Sequence, residues 1–308
     1  MNSIFGPIVS SSDLAFHQQM FEQVFLLETI SHQSLDKSAV RQVWGAQDHS
    51  AQNVVLQTPG SDYGVQVVAF DPSSETTIRH RTRGLVPGAA KVIDFFVSDL
   101  EQSLARAREF GLVINDDIAE YDSPEGRVRE AHSWVLDEVV CALISPPPSM
   151  EKKFSSGLHR PVSEPQSISG PTTELKASAE FFERVFGFKV IYEYQVNDSN
   201  FGDMIGSKEP VNIRAKNIGW NLQAPYIGMI DYGLSKPGDD TIAPVSPTQR
   251  GLLGVTVITD DLAGVVKQLA PDTLLAGPSS GVLNEPWQGA PSALIRAPNG
   301  MLLQVIEQ

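Results

Sequence analysis

Val128, Glu130, His132 and Trp134 alternate along a β-patterned run, which puts all four on one face of a strand. His132 has the chemistry of a general base near neutral pH, and Glu130 shares its face. The plainer reading is a strand histidine satisfied by a backbone partner or turned to solvent. Arg214 shares a strand face with Asn212, and Arg296 lies on a later strand. An arginine inside a pocket would grip a carboxylate, enolate or phosphate by a two-pronged contact, whereas a surface position is the commoner one. Trp44, Trp220, Trp287 and Tyr226 have faces on which a flat substrate could stack, or they pack a core. His49, beside Asp48 in a loop after Trp44-Gly45, suits a pocket mouth, and His17 reads as an exposed helical position. No nucleophilic serine motif, phosphate-cradling glycine loop or paired CxxC is present.

What must position these residues is set by a repeat. Leu14, Phe21, Glu22, Val24, Phe25 and Gly45 recur 161 positions later as Leu175, Phe182, Glu183, Val185, Phe186 and Gly206. Asp99-Leu100 recurs as Asp261-Leu262. Each half contains two similar sub-units, so the chain reads as four copies of one strand–helix–multistrand unit. One such unit cannot bury both faces of its sheet. Two sheets curled around a cavity can, and that cavity is the natural ligand site.

Composition narrows the function classes. The 308 residues carry a formal net charge of −14, which argues against a nucleic-acid backbone as partner. The one basic cluster, Arg79, His80, Arg81 and Arg83, reads as a solvated linker, with an anion contact as the alternative. Cys141 is the single cysteine and sits in an apolar run, so it reads as buried and inert. No stretch is apolar for the roughly 18 residues a membrane span needs, and no secretory signal is apparent. The expectation is a soluble cytoplasmic protein, monomer or homodimer, with a small-molecule ligand and neither nucleic acid nor membrane as partner.

Along the chain, Ser12 or Asp13 caps a helix reaching Phe25, Ser98-Asp99 caps a second, and Asp260 or Asp261 caps a fourth. A third runs from Leu175 to Phe186 and ends at Gly187. Strands are expected at 6–9, 53–57, 63–70, 91–97, 112–114, 127–136, 139–144, 188–194, 204–205, 211–215, 226–230, 252–258, 292–296 and 301–306. Pro146-Pro147-Pro148, Ser155-Ser156-Gly157 and Pro161 mark a linker between halves. The resulting division is an N-terminal domain at 1–148 with modules at about 1–72 and 90–146. A linker at 149–165 leads to a C-terminal domain at 166–308, with modules at about 166–232 and 250–308.

The run from Leu175 to Phe188, with Val97 to Leu104, Pro286 to Gly289 and Arg296 to Glu307, resembles βαβββ modules of the vicinal oxygen chelate superfamily. That superfamily includes glyoxalase I, extradiol dioxygenases, epimerases, fosfomycin-resistance enzymes and bleomycin-binding proteins. The resemblance implies an α+β fold: four βαβββ modules in two tandem glyoxalase-like domains. It also implies a metal held by a histidine of a module's first strand and a glutamate of its last. Those histidine positions fall here at Gly6, Val92, Ser167 and Gly254, and the glutamate of the last module is Gln304. Neutral amides and glycines lack the charge and basicity that hold a catalytic divalent ion, so no metal and no other cofactor is expected. Gln304 would instead point into the cup and hydrogen-bond a substrate carbonyl.

The expected function is a metal-independent enzyme, an isomerase or lyase, acting on a small aromatic or oxygenated molecule. His132 and Glu130 would handle the proton, with Gln304, Arg296, Arg214, Trp220, Trp287, Trp44 and His49 binding substrate. A non-catalytic binding or sequestration protein is the alternative, and a ring-cleaving dioxygenase with an atypical metal site is the third.

Overall fold

The computed structural model describes residues 2–115, 118–154, 160–207, 209–234 and 241–308. Ser155-Ser156-Gly157 of the expected linker, and part of the loop at 233–246, lie outside the described residues.

The first module contains β1 (Ser3–Ser10), α1 (Leu14–Gln23), β2 (Glu28–Leu35), α2 (Lys37–Trp44), β3 (Ser50–Gln57) and β4 (Gly64–Asp71). The second has β5 (Val92–Val97), α3 (Leu100–Phe110), β6 (Ala119–Ser123), β7 (Gly126–Trp134) and β8 (Val140–Ser145), followed by α4 (Pro148–Phe154). The third has β9 (Val162–Pro171), α5 (Leu175–Phe186), β10 (Lys189–Val196), α6 (Ser199–Met204), β11 (Ile213–Gly219) and β12 (Tyr226–Asp231). The fourth has β13 (Gly251–Thr259), α7 (Leu262–Lys267), β14 (Leu274–Ser279), β15 (Ser292–Arg296) and β16 (Leu302–Glu307).

Local chemistry starts and stops the main helices as their sequences suggest. Asp13, Asp99 and Asp261 accept the backbone N–H groups of Phe16, Gln102 and Gly264, which have no partner within their helices. Gly187 closes α5 in the left-handed conformation at φ 68°. Other elements differ from expectation. Met204 ends a short helix rather than forming a strand, because Asp198 accepts the N–H groups of Asn200 and Phe201 and starts a turn there. The stretch at 112–114 contributes one bridge, Ile114 to Ser133, and the pairing strand is β6 further on. β2, β6, β9, β14, α2 and α4 lie where the sequence marks no element, and α4 after Pro148 and the start of β9 fall inside the expected 149–165 linker. In the mostly polar β2 exposed and half-buried residues alternate and only Leu35 is buried, so its apolar signal is weak.

The two sheets have eight strands each, in the orders β14-β15-β16-β13-β1-β4-β3-β2 and β10-β11-β12-β9-β5-β8-β7-β6. This is the α+β class, with four βαβββ modules in two glyoxalase-like domains. Each domain draws one module from either half of the chain: the first with the fourth, the second with the third. The sheets therefore do not divide at the 149–165 linker. Both joins are antiparallel pairings of first strands, β1 with β13 and β5 with β9.

Three apolar clusters follow from this layout. One lies between the sheets and their helices, where the Phe25 and Phe95 rings meet at 4.3 Å. The second fills the cup of modules one and four with Phe5, Trp44, Phe70 and Trp287. The third lines the cup of modules two and three, and that cup stays open. Two outer-surface expectations are corrected. His17 is buried, because α1 packs its face between the sheets, and its Nδ1 lies 2.7 Å from Ser11 Oγ. Arg79 is also buried, its guanidinium turned onto the carbonyls of Arg83, Val86 and Gly88, which fixes the loop between modules one and two.

Candidate functional site in the open cup

The concave face of the second sheet encloses a cavity of about 100 Å³ that opens to solvent, room for several waters or one small ring. Its lining includes Asp94, Tyr121, Glu130, His132, Tyr192, Tyr194, Tyr226 and Tyr232, with Phe96 and Phe201. Strand alternation produces this set. Tyr192 and Tyr194 on β10, and Glu130 and His132 on β7, are each two apart and so face the same way. Short α6 covers one side, where Phe201 meets the edge of Tyr121 with ring centres 5.2 Å apart. On another side the Tyr192 hydroxyl donates to Glu125, which ties β10 to the β6–β7 turn.

Glu130 and His132 are buried and paired, Oε1 to Nε2 at 2.7 Å. The other oxygen of Glu130 accepts from the Tyr121 hydroxyl at 2.6 Å. Asp94, in the apolar run of β5, accepts from the Ser167 hydroxyl. Burial above all, and then the Glu130 charge, push the Asp94 carboxyl up to about 7. Behind it Lys91 is fully enclosed, with Nζ 3.1 Å from the Tyr232 hydroxyl, and burial brings its ammonium down to about 7. Burial also raises the phenols of Tyr121, Tyr194, Tyr226 and Tyr232 above their ordinary value. They stay protonated at neutral pH and remain hydrogen-bond donors.

Of the nine site residues expected from sequence, Glu130 and His132 meet in this cup. Tyr226, named as a stacking candidate, is there as well. The other seven lie elsewhere. Gln304, Trp44 and Trp287 are buried in the filled cup of modules one and four. Arg214 is on the exposed side of β11, 2.5 Å from Asp231. Arg296 donates to the Val245 carbonyl at 3.1 Å. Trp220 is 45% exposed at the turn after β11. His49 is exposed, with Nδ1 2.6 Å from the Gln47 carbonyl. Sequence reading missed Asp94 and four of the tyrosines. A lone carboxylate inside Val92–Val97 was the available signal for Asp94, since an unpaired charge seldom occupies a buried strand.

Register makes the resemblance's metal positions testable. In the filled cup Ile8 pairs with Gln66 and Thr256 with Gln304, so the two glutamines are equivalent. In the open cup Asp94 pairs with Ala142 and Ser169 with Gly228, which puts Ala142 and Gly228 at the carboxylate positions. Val92 and Ser167 hold the histidine positions. Neither donor set offers the imidazoles and carboxylates that a divalent ion requires, so the residues present do not fit the superfamily's metal. Among the described residues no three His, Cys, Asp or Glu side chains come together as a ligand set.

The fold matches solved structures across its full length. Glyoxalase I from Zea mays superposes with a TM-score of 0.64 at 11% identity, covering 100% of this chain and 92% of that one. A putative dioxygenase from Bacillus subtilis gives 0.58 at 8% identity, covering 99% and 84%. No family model matches the sequence, and no curated protein matches it. The chain shares the glyoxalase-like fold of these structures, with four modules in two domains. Within that fold it keeps one filled cup and one open, tyrosine-lined cup. Among the described residues no helix is long and apolar enough to cross a membrane.

Proposed function

We propose that the protein is an enzyme of proton-transfer chemistry, an isomerase or lyase, acting on a small aromatic or oxygenated molecule in the open cup without a metal. The observation that carries this reading is the Glu130–His132 pair at 2.7 Å inside a cavity ringed by phenols. Glu130 holds the imidazole in one orientation and supports the charge it gains on taking a proton. Neutral tyrosine hydroxyls are suited to donate to an oxygen that becomes negative as that proton leaves. Ring faces of Tyr192, Tyr194 and Phe96 favour a flat ligand.

The test is deuterium uptake from D2O into one-ring carbonyl compounds, phenylacetone and 2-hydroxyacetophenone, followed by NMR with EDTA present. Catalysed exchange should fall by about 100-fold or more in His132→Ala, the usual scale of a positioned base, with ligand binding retained. Full exchange in that variant, or exchange abolished by EDTA and restored by a divalent metal, would sink the reading.

One observation favours a second reading. Both Glu130 oxygens are engaged, by His132 and Tyr121, as in a structural network that shapes a binding pocket. A sequestration protein would bind ring compounds stoichiometrically with no turnover, and His132→Ala would leave its affinity intact.

A further inference from the structure

A row of cross-strand neighbours runs across the floor of the open cup. His132 of β7 pairs with Ala142 of β8, Ala142 with Asp94 of β5, Asp94 with Ser167 of β9, and Ser167 with Tyr226 of β12. Neighbouring strands stand about 4.8 Å apart, so His132 and Asp94 are separated by roughly 10 Å at the backbone. Between them the floor carries only the methyl group of Ala142. Both side chains line the same cavity. The gap suits a single ring lying across Ala142 with one end at each group.

We infer that Asp94 is the second proton-handling group of this cup, the acid partner of His132 across Ala142, and that the molecule between them is a one-ring enolisable carbonyl compound whose oxygen faces Asp94. The inference rests on the proposed proton-transfer function and adds a residue and a substrate orientation to it. His132 takes the proton from the carbon next to the carbonyl. The C–H electron pair becomes a C=C bond, the carbonyl π pair moves to oxygen, and that oxygen takes the proton of the Asp94 carboxyl. In the return step the enol O–H gives its proton back to the Asp94 carboxylate, and the imidazolium delivers its proton to the same or a conjugated carbon. The sum is exchange or isomerisation, with no oxidant, reductant or co-reactant.

The surroundings of Asp94 fit this role. Glu130 and His132 face it from β7, Tyr121 from β6, Tyr194 from β10 and Tyr226 from β12, with Lys91 on its own strand and Tyr232 beyond. Burial and Glu130 favour the protonated carboxyl, while the Ser167 hydroxyl and Lys91 favour the carboxylate. The carboxyl is thereby balanced near neutrality, where an acid can give its proton and recover it.

The probe is 3,4-dinitrophenol, mostly an anion at pH 6 and fully so above pH 7, with binding followed by its visible absorbance and affinities referred to the anion. A protonated Asp94 donates to the phenolate oxygen, and an ionised Asp94 repels it. Wild-type affinity should fall by about tenfold per pH unit above pH 7. In Asp94→Asn, whose amide donates at every pH, the change from pH 6 to 9 should be less than about twofold on the same linkage argument. Lys91→Met should keep a fall of the same steepness with its onset moved to higher pH, because Lys91 favours the Asp94 carboxylate, and this separates Asp94 from Lys91. Ala142→Leu fills the gap and should abolish binding. An unchanged pH dependence in Asp94→Asn, its loss in Lys91→Met instead, or retained binding in Ala142→Leu each overturns the inference. Should Asp94→Asn fold poorly, Asp94→Ser provides the same readout. No arm depends on turnover, so this result stands apart from the deuterium exchange in His132→Ala.

Discussion

At the scale of single residues, two equivalent glutamines of the filled cup have opposite energetics. Gln66 donates to Asn53 Oδ1 and accepts from the Thr256 hydroxyl, each at 3.0 Å. Gln304 is equally buried, yet both of its amide atoms lack a hydrogen-bond partner. An unpaired buried amide costs about 1–3 kcal/mol, and an apolar replacement of similar shape removes that cost. Gln304→Leu should therefore leave chemical-denaturation stability unchanged or raise it, while Gln66→Leu should lower it by roughly 1–3 kcal/mol by stranding two partners. His17 makes a pH prediction. Burial brings its imidazole from 6.5 down to about 4, while the unfolded chain takes the proton near 6.5. Between those values the unfolded state binds more protons, so this residue's contribution is lost as pH falls from 6.5 towards 4. His17→Gln should flatten that limb of the stability–pH curve relative to wild type, as urea melts at half-unit intervals would reveal.

At the scale of elements, the first strands do the positioning. β13 runs parallel to β16 at a contact so close that a Cβ on Gly254 would sit 1.8 Å from the Leu302 carbonyl oxygen. The equivalent Gly6 of β1 stands in the same relation to Gly64. A methyl group there must push two hydrogen-bonded strands apart, so Gly254→Ala should cost several kcal/mol or prevent folding, as thermal melting and soluble yield would register. Glycine at these two positions is thus explained by backbone approach in the filled cup. In the open cup the equivalent positions carry Val92 and Ser167, which contribute side chains to the lining.

At the scale of the molecule, each sheet needs both halves of the chain. If 1–154 and 160–308 are produced separately, each carries two modules whose sheet partners are missing. Neither should give a cooperative thermal transition alone, whereas mixing them should restore one, because the β1–β13 and β5–β9 joins re-form both sheets. Circular dichroism melts of the separate and mixed halves check this. Two independently stable halves would contradict the observed strand order. The same arrangement lets the cups diverge: α2 brings Trp44 into one, and the loop after β14 adds Trp287, while the other keeps its volume.

The sequence by itself determined the module count, the helix starts to within a residue (Ser12 or Asp13, Ser98-Asp99, Asp260 or Asp261), and the placement of Glu130 on one strand face with His132. These rest on local rules: a repeat, a side-chain cap, the two-residue period of a strand. It also gave the residue types Gly6, Val92, Ser167, Gly254 and Gln304 at positions the resemblance implies for metal ligands, whereas Ala142 and Gly228 were placed by strand register. Only the tertiary structure decided which modules share a sheet, because pairing β1 with β13 and β5 with β9 joins residues some 70 to 250 positions apart and leaves no local mark. For the same reason it alone separated Trp44, Trp287 and Gln304 from His132, and gathered Asp94 with tyrosines from β6, β10 and β12. The titration of Asp94 near neutrality is likewise a product of burial and of Glu130 on another strand, and neither can be read from Val92–Val97 alone.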